Sequence, residues 1–432
     1  MAKKQLVVIG GGAAGFFCAV NAARLYPNLS VIILEKTSKL LSKVKVSGGG
    51  RCNVTHACYS IAEMTRFYPR GASFLKQAFH HFFTTDTITW FAGRGVELKT
   101  EADGRMFPVS NSSQTIIDCL LNEVNRYGVE IRVKAEVQEI NINQEKTDSS
   151  ATKNSQRKFS LQLTNGNTID ADLLCIACGG FPKTEMFSWL KNTGHHFSSP
   201  VPSLFTFNMP GNPICSLMGV TVSDVVVKIS GSKLQQRGPL LITHWGMSGP
   251  AVLKLSAWGA RELAEKRYEY NIQINWLPEF NENTLRDRFQ SLRFELAPRK
   301  VINKNPLGLP AALWEFLLQQ CGISEDIRWA DLPAKEQNKL IKMLCSHELK
   351  VKGKTTFKEE FVTAGGILLS EINAATMESK LVDGLFFAGE ILDADGVTGG
   401  FNFQHAWTSG WIAAAKGVGR HLESSDSVGN NL

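Results

Sequence analysis

The residues Gly10-Gly11-Gly12-Ala13-Ala14-Gly15 carry the spacing Gly-x-Gly-x-x-Gly, and Glu35 follows Gly15 by twenty positions. This is the chemistry of a dinucleotide site. Gly10 permits a tight turn, Gly12 lets backbone approach a pyrophosphate, and Gly15 lets a helix pack closely on a strand. The free N–H groups and positive dipole end of that helix favour the phosphates. The Glu35 carboxylate suits ribose hydroxyls. Three further glycine-rich segments stand at the ends of apolar runs: Ser47-Gly-Gly-Gly-Arg-Cys-Asn53, Ala177-Cys-Gly-Gly180, and Gly389-Glu390 through Asp393, Asp395 and Gly396 to Gly399-Gly-Phe-Asn-Phe403. A nicotinamide site needs only the first. Four such segments predict a larger cofactor, a flavin nucleotide. Arg51 has the charge to neutralise a phosphate. A helix beginning after Gly400 and aimed at the flavin pyrimidine favours the anionic reduced ring.

The elements that must position these residues follow from periodicity. Gln5–Ile9 reads as a buried strand, Ala13–Tyr26 as a helix stopped at Pro27-Asn28, and Val31–Leu34 as a second strand. Ser73–Gly95 reads as helical with a break at Thr84-Thr85-Asp86. Ile116, Ile117, Leu120, Leu121 and Val124 follow helical spacing behind a Ser112 or Ser113 cap. Strands are predicted at 129–142 and 159–164, around a polar loop at 141–158, and at Asp172–Ala177. From about 195 the pattern changes. Val220–Ile229, Leu240–His244 and Tyr268–Trp276 read as strands, and 282–296, 309–321 and 334–346 as helices. Nucleotide-domain signals return at Phe361–Gly366, Leu385–Gly389 and Phe403–Lys416. The expected fold is α/β: a Rossmann-like domain split by an insert. Its first part spans 1–194. The insert spans 195–355, with a β-barrel at about 200–276 and helices at about 280–350. The second part spans 356–432, with a disordered tail after Arg420.

Composition bounds the function. The chain has 432 residues, 43% hydrophobic and 20% charged, as in globular proteins. No apolar run reaches a membrane span, and Met1-Ala2-Lys3-Lys4 leads directly into the first strand, so a cytoplasmic protein without signal peptide is expected. Nine scattered cysteines read as free thiols. Cys175 and Cys178 have redox spacing, but alternation along a strand separates their side chains, and buried thiols are expected. The default for Cys52 is a small residue in a crowded loop. His80-His81 and His195-His196 lack companion ligands, so no metal is expected. Arg94, Arg105 and Arg286-Asp-Arg288 read as solvated.

Taken together, Gly10–Gly15 with Glu35, Ser47–Asn53, Thr363-Ala-Gly-Gly366, Phe387-Ala-Gly-Glu390, Asp393-Ala-Asp-Gly396 and Gly399-Gly-Phe-Asn402 resemble the bacterial FAD-binding family of aminoacetone-oxidase-like and BaiN-type proteins. Thr243-His-Trp-Gly-Met-Ser-Gly-Pro250 is similar to that family's insert. The likeness runs along almost the whole chain. It implies a glutathione-reductase-type FAD domain interrupted by a β-barrel and helical insert. It implies that Gly10, Gly12, Ala14, Gly15, Glu35 and Lys36 hold the ADP half and Val137 touches adenine. Arg51, Asn53, Gly179, Gly389, Glu390, Gly400, Phe401, Asn402 and Phe403 would line the rest. Two departures are visible: Ala-Cys-Gly-Gly in place of Ala-Thr-Gly-Gly, and Thr184–Leu190 in place of a glycine-rich stretch.

The expected activity is FAD-dependent hydride transfer between flavin N5 and a small organic substrate. No second Gly-x-Gly-x-x-Gly provides a nicotinamide domain. NAD(P)H could dock transiently as donor, and dioxygen is the other candidate for electron exchange. His244 and His405 are candidate proton donors, each with a structural reading, a backbone bond for His244 and a helix-start cap for His405. The rival reading is a flavin-bearing RNA-binding or RNA-modifying protein. It rests on the net charge of +7 and the basic stretches Arg299-Lys300 and Lys350, Lys352, Lys354 and Lys358. No aromatic-interleaved basic module accompanies them, so a small-molecule partner is expected over nucleic acid. Sequence sets neither substrate identity nor oligomeric state.

Overall fold

Short β-branched runs fix the centre of the nucleotide-binding unit. Leu6, Val7, Val8 and Ile9 of β1 (Gln5–Ile9) and Val31–Leu34 of β2 (Ser30–Glu35) are buried. Such continuous apolar strands belong to parallel sheets covered on both faces. The computed structural model describes residues 3–143, 157–355 and 362–427. In it β1 pairs in parallel with β2 and with β4 (Leu173–Ile176). β2 continues to β3 (Glu130–Val133), and β4 to β5 (Leu385–Phe387). The order 3-2-1-4-5 is doubly wound, and its connections reverse direction between β1 and β4. Ligands of such sheets bind beyond the carboxyl ends of the strands at that reversal. Helix α1 (Ala13–Leu25) and the late helix α2 (Phe401–Ile412) pack against each other.

The chain divides into two compact units: Met1–Pro202 with Lys358–Leu432, and Ser203–Phe357. The division expected at 194/195 therefore falls at 202/203. The strand Phe197–Ser203 pairs with Val362–Ile367, which keeps those residues with the first unit. The single strand predicted at 129–142 is two elements. Lys134, at φ 53°, breaks it into β3 and Val137–Ile142, and the latter joins Phe159–Leu163 and Thr168–Ala171 in an antiparallel sheet. Most of the polar loop at 141–158 lies outside the described residues. The helical stretch from Ser73 breaks earlier than predicted, into Ala72–Phe79 and Thr84–Ala92. The chain beyond Arg420 is not a disordered tail: Gly419–Ser427 is helical, and His421 bonds the Glu378 carboxylate at 2.6 Å. Residues 428–432 lie outside the described set.

The second unit is built on seven antiparallel strands. The stretch from His347 to Thr355 pairs with Glu269–Asn275 at its start and with Thr206–Asn208 at its end, turning at Gly353 (φ 95°). Both outer edges of the sheet are thus one piece of chain, which leaves little open edge. Tyr270, Ile272, Ile274 and Trp276 alternate inward, and the core includes Trp314 and Trp329 from the helical part. Each such side chain contributes about 1.5–3 kcal/mol by burial. Among the described residues no helix is long and apolar enough to cross a membrane.

Candidate functional site

The glycines of the first motif have separate physical reasons. Gly10 has φ 118°, and a Cβ there would stand 2.3 Å from the carbonyl oxygen of Ala177, at the end of β4. It is what lets β1 and β4 close at the reversal. A Cβ on Gly15 would stand 2.0 Å from the Gly10 carbonyl oxygen, so helix and strand touch there. A Cβ on Gly12 would meet nothing within 4 Å. The first two are needed by the fold, whereas Gly12 borders open space at the N-terminus of α1. Gly12 caps α1 without a side-chain acceptor, and among the described residues the N–H groups of Ala13, Ala14 and Gly15 meet no acceptor. Glu35 stands beside them. Its carboxylate accepts from the Gly11 N–H at 2.9 Å and from the Thr37 N–H at 2.8 Å. Ala14 is buried, Lys36 lies 5.8 Å from the Phe181 ring, and Val137 is buried at the start of its strand.

The second segment is a left-handed run. Gly48, Gly49, Gly50 and Cys52 all have positive φ, and Cβ atoms on Gly49 and Gly50 would meet nothing. Arg51 departs from the expected role. Its guanidinium pairs with Glu101 at 2.6 Å and lies 4.0 Å from the Phe107 ring, so the charge meant for a phosphate is held by a carboxylate. Asn53 is buried and ties the segment to the fourth motif. In the amide orientation that satisfies both ends, its oxygen accepts from the Gly400 N–H at 2.9 Å and its nitrogen donates to the Thr55 carbonyl at 3.0 Å.

The fourth motif closes the cleft. Gly389, at φ 74°, presses on α1: a Cβ would fall 2.8 Å from the Ala14 Cβ. Glu390 accepts from the Thr363 N–H at 3.0 Å and pairs with Lys43, beside Gly179 and Gly180. Gly400 caps α2 at φ 93°. Among the described residues the N–H groups of Phe401, Asn402 and Phe403 meet no acceptor, as at a free helix start. Asn402 pins Gly396 through both amide atoms at 2.8 Å, and Phe403 stacks on Trp407. Phe401 stacks on Phe67 at 4.4 Å and on His56 at 4.7 Å, while the His56 Nδ1 meets the Gly399 carbonyl at 3.0 Å.

The two candidate histidines separate. His405 is buried, and its Nε2 meets the Gly389 carbonyl oxygen at 3.1 Å. Burial pushes its pKa down to about 4, so it is neutral at pH 7, and among the described residues its Nδ1 has no partner. Its contact is with the glycine loop. His244 is exposed in the second unit, against the Trp245 ring. Cys175 is buried beside Cys18, whose thiol together with burial pushes the Cys175 pKa up. Burial pushes Cys178 up to about 12, so neither offers a thiolate at neutral pH. Cys52 is likewise buried and pushed up to about 12. Arg94 is not solvated: it pairs with Glu123 at 2.6 Å over the Trp90 ring. Glu378, Asp383 and His421 cluster closely enough to suggest a metal, but Lys158, Arg420 and the Gly384 N–H already serve the carboxylates.

Sequence reasoning missed the braces of the cleft. Arg70 forms a two-pronged ion pair with Asp395, which is fully buried, and the pair clamps the loop that leads to Gly399. Asp395 stands in a recognised motif. Arg70 and Lys43 stand in none, and their partners lie over three hundred residues away.

The fit to FAD rests on the open space at Gly12, Gly49 and Gly50 and on two helix starts with unused N–H groups, converging where β1 and β4 part. The HI0933-like protein Rossmann domain family matches residues 4–416. A ribosomal RNA dihydrouridine synthase of Escherichia coli is 30% identical over 427 residues, covering 96% of this chain and 98% of that protein. A 3-dehydro-bile acid delta(4,6)-reductase of Clostridium scindens is 27% identical over 418 residues, covering 95% and 98%. The fold is shared with a flavocytochrome c3 fumarate reductase at a TM-score of 0.50 and 17% identity, covering 97% of this chain and 78% of that one. A 3-ketosteroid delta1-dehydrogenase of Sterolibacterium denitrificans also gives 0.50, at 12% identity and 98% and 100% coverage. With its match running from strand β1 to beyond helix α2, the chain belongs to the HI0933-like Rossmann-domain family and is an FAD-dependent oxidoreductase.

Proposed function

We propose that the protein reduces a carbon–carbon double bond conjugated to a carbonyl, and that its substrate is a uracil base in ribosomal RNA. The observation that carries the chemistry is the bare N-terminus of α2 behind Gly399-Gly400, a positive dipole end suited to an anionic reduced ring. The relatives' names agree on the bond type. A dihydrouridine synthase saturates the 5,6-bond of uracil, and a delta(4,6)-reductase acts on ring double bonds of a 3-oxo steroid. Bound FAD, once reduced, supplies a hydride for the carbon β to the carbonyl, a proton completing the product at the α carbon.

Within this reading Gly12, Ala14 and Gly15 hold the pyrophosphate, with Gly10 shaping the turn. Glu35 and Lys36 serve the ribose, Val137 the adenine, and Gly49, Gly50, Asn53 and Gly179 the middle of the cofactor. The Phe401–Phe403 N–H groups face the pyrimidine, with Gly389, Glu390 and His405 fixing the loop. Arg51 braces the Gly48–Gly50 turn. NAD(P)H is the donor, docking transiently.

Charge favours RNA as substrate. Residues 203–357 hold twenty basic and fourteen acidic side chains, a net +6 of the chain's +7. A module that meets a polyanion concentrates charge in this way. The second reading, a 3-oxo steroid or similar small enone, is favoured by the bile-acid reductase relative. One experiment separates them. Flavoprotein reduced anaerobically with NADPH or NADH is mixed with unmodified rRNA, with uridine, or with a 3-oxo-4,6-diene steroid. Flavin reoxidation and the gain of two hydrogens in the product are followed. RNA turnover that falls steeply with added salt supports the first reading; turnover of the steroid alone replaces it with the second. No turnover of any of them refutes the bond type.

A further inference from the structure

We propose that the cavity walled by His56, Cys58, Tyr59, Glu63, Arg66 and Phe67 receives the planar ring of the substrate, with Tyr59 as its stacking face and Arg66 as the contact for an adjoining phosphate. The inference rests on the RNA reading above. The cavity measures about 720 Å³, within the range of small-molecule sites. It is formed by one stretch of chain, and its floor is continuous with the fourth glycine motif. Phe67 and His56 both stack on Phe401, His56 meets the Gly399 carbonyl, and the Tyr68 hydroxyl donates to the Phe401 carbonyl at 2.6 Å. A ligand here would lie against the residues that begin helix α2.

The two chemical handles are unusual for their surroundings. Tyr59 leaves 60% of its surface in water, although every other tyrosine and most large apolar side chains of the unit are more covered. An exposed aromatic face at a cavity mouth is what an extruded base stacks on. Arg66 makes no ion pair or hydrogen bond among the described residues. Arg51, Arg70, Arg94 and Arg105 of the same unit are each paired with a carboxylate. Glu63, one turn away, does not claim it. A guanidinium left unpaired beside an aromatic face suits the phosphate of a nucleotide whose base is stacked.

The test uses the flavin-loaded protein titrated with uridine and with uridine monophosphate, read by perturbation of the flavin visible spectrum, together with KM and kcat on an rRNA fragment. Tyr59→Ala weakens both ligands and raises KM about tenfold, and Tyr59→Phe restores wild-type binding. Arg66→Ala weakens the monophosphate about tenfold and leaves uridine unchanged. If the wild type reduces rRNA while both variants bind and turn over within twofold of it, the pocket assignment is overturned and the RNA reading stands. If the wild type neither binds uridine nor reduces rRNA, the RNA reading fails first, and this ligand with it.

Discussion

Gly12 and Gly15 stand three residues apart in one motif, yet substitution should damage different properties. Gly12 has φ −98° and ψ −172°, ordinary extended backbone, and a Cβ there meets nothing within 4 Å. Gly12→Val should therefore fold. Its cost is the loss of a tolerable helix cap, about 1 kcal/mol or less. With the pyrophosphate placed as proposed, the new isopropyl group would fill its space, so cofactor affinity should collapse. At Gly15 a Cβ would sit 2.0 Å from the Gly10 carbonyl oxygen, which is backbone and cannot swing away. Gly15→Ala must part α1 from β1. Overpacking of this kind costs about 3 kcal/mol, partly offset by about 1 kcal/mol of helix propensity. The assay compares apo forms, because bound cofactor adds about 2.7 kcal/mol at a hundredfold excess over its dissociation constant. Apo Gly12→Val should melt near apo wild type and stay colourless with added FAD. Apo Gly15→Ala should melt roughly 4–8 °C lower, at about 2–4 °C per kcal/mol. Gly12→Val that binds FAD within twofold of wild type, or melts as low as Gly15→Ala, would refute the division of roles.

Three further outcomes are expected. Burial holds His405 and His347 at about 4, while an unfolded histidine binds its proton near 6.5. Unfolding thus takes up protons between those values. Stability is full above pH 6.5 and falls toward pH 4 by up to about 1.4 kcal/mol per pH unit for each group. Urea unfolding at pH 7, 6 and 5 should show this, and His405→Gln should lessen it; a flat wild-type profile sinks the assignment. Arg70→Met leaves the Asp395 carboxylate buried without its main partner and should cost about 3–5 kcal/mol in chemical denaturation, with Asp395→Leu added restoring most of it. Equal losses in the single and double variants would mean the pair is not what holds the loop. Replacing Cys175 and Cys178 with alanine should leave flavin reduction and reoxidation unchanged, and a large loss of turnover would revive a redox role.

What was legible in the sequence was local. The β1–α1–β2 unit could be read because strand, glycine spacing, helix and acid lie within thirty-one residues and each obeys a short-range rule. What was not legible depended on distant partners. Arg51 reads as a phosphate ligand until Glu101 and Phe107 are seen to hold it. Arg94 reads as solvated until Glu123 and Trp90 enclose it. The stretch 129–142 alternates Val129, Ile131, Val133 and Val137 with mostly polar residues, and no pattern announces that Lys134 turns it from the parallel sheet into an antiparallel one. The segment after Arg420 is polar enough to read as a tail, and only the Glu378 carboxylate, from far upstream, reveals what His421 holds.

The chemistry of the two relatives also explains why substrate identity escapes the motifs. Saturating a bond conjugated to a carbonyl asks the protein for a held flavin and a pocket beside it, and says little about what the ring is attached to. The glycine segments answer only the first demand, so they should look alike whether the ring belongs to a steroid or a ribonucleotide. Discrimination must come from groups that touch the attachment. In this chain the surplus positive charge is unevenly divided. The unit with the glycine segments is close to neutral, and the charge resides in the residues between 203 and 357. A steroid supplies no repeating anion for that charge to meet, whereas an RNA backbone supplies one at every nucleotide. The surplus is therefore an argument about the substrate, independent of the cofactor motifs and separately open to disproof by salt.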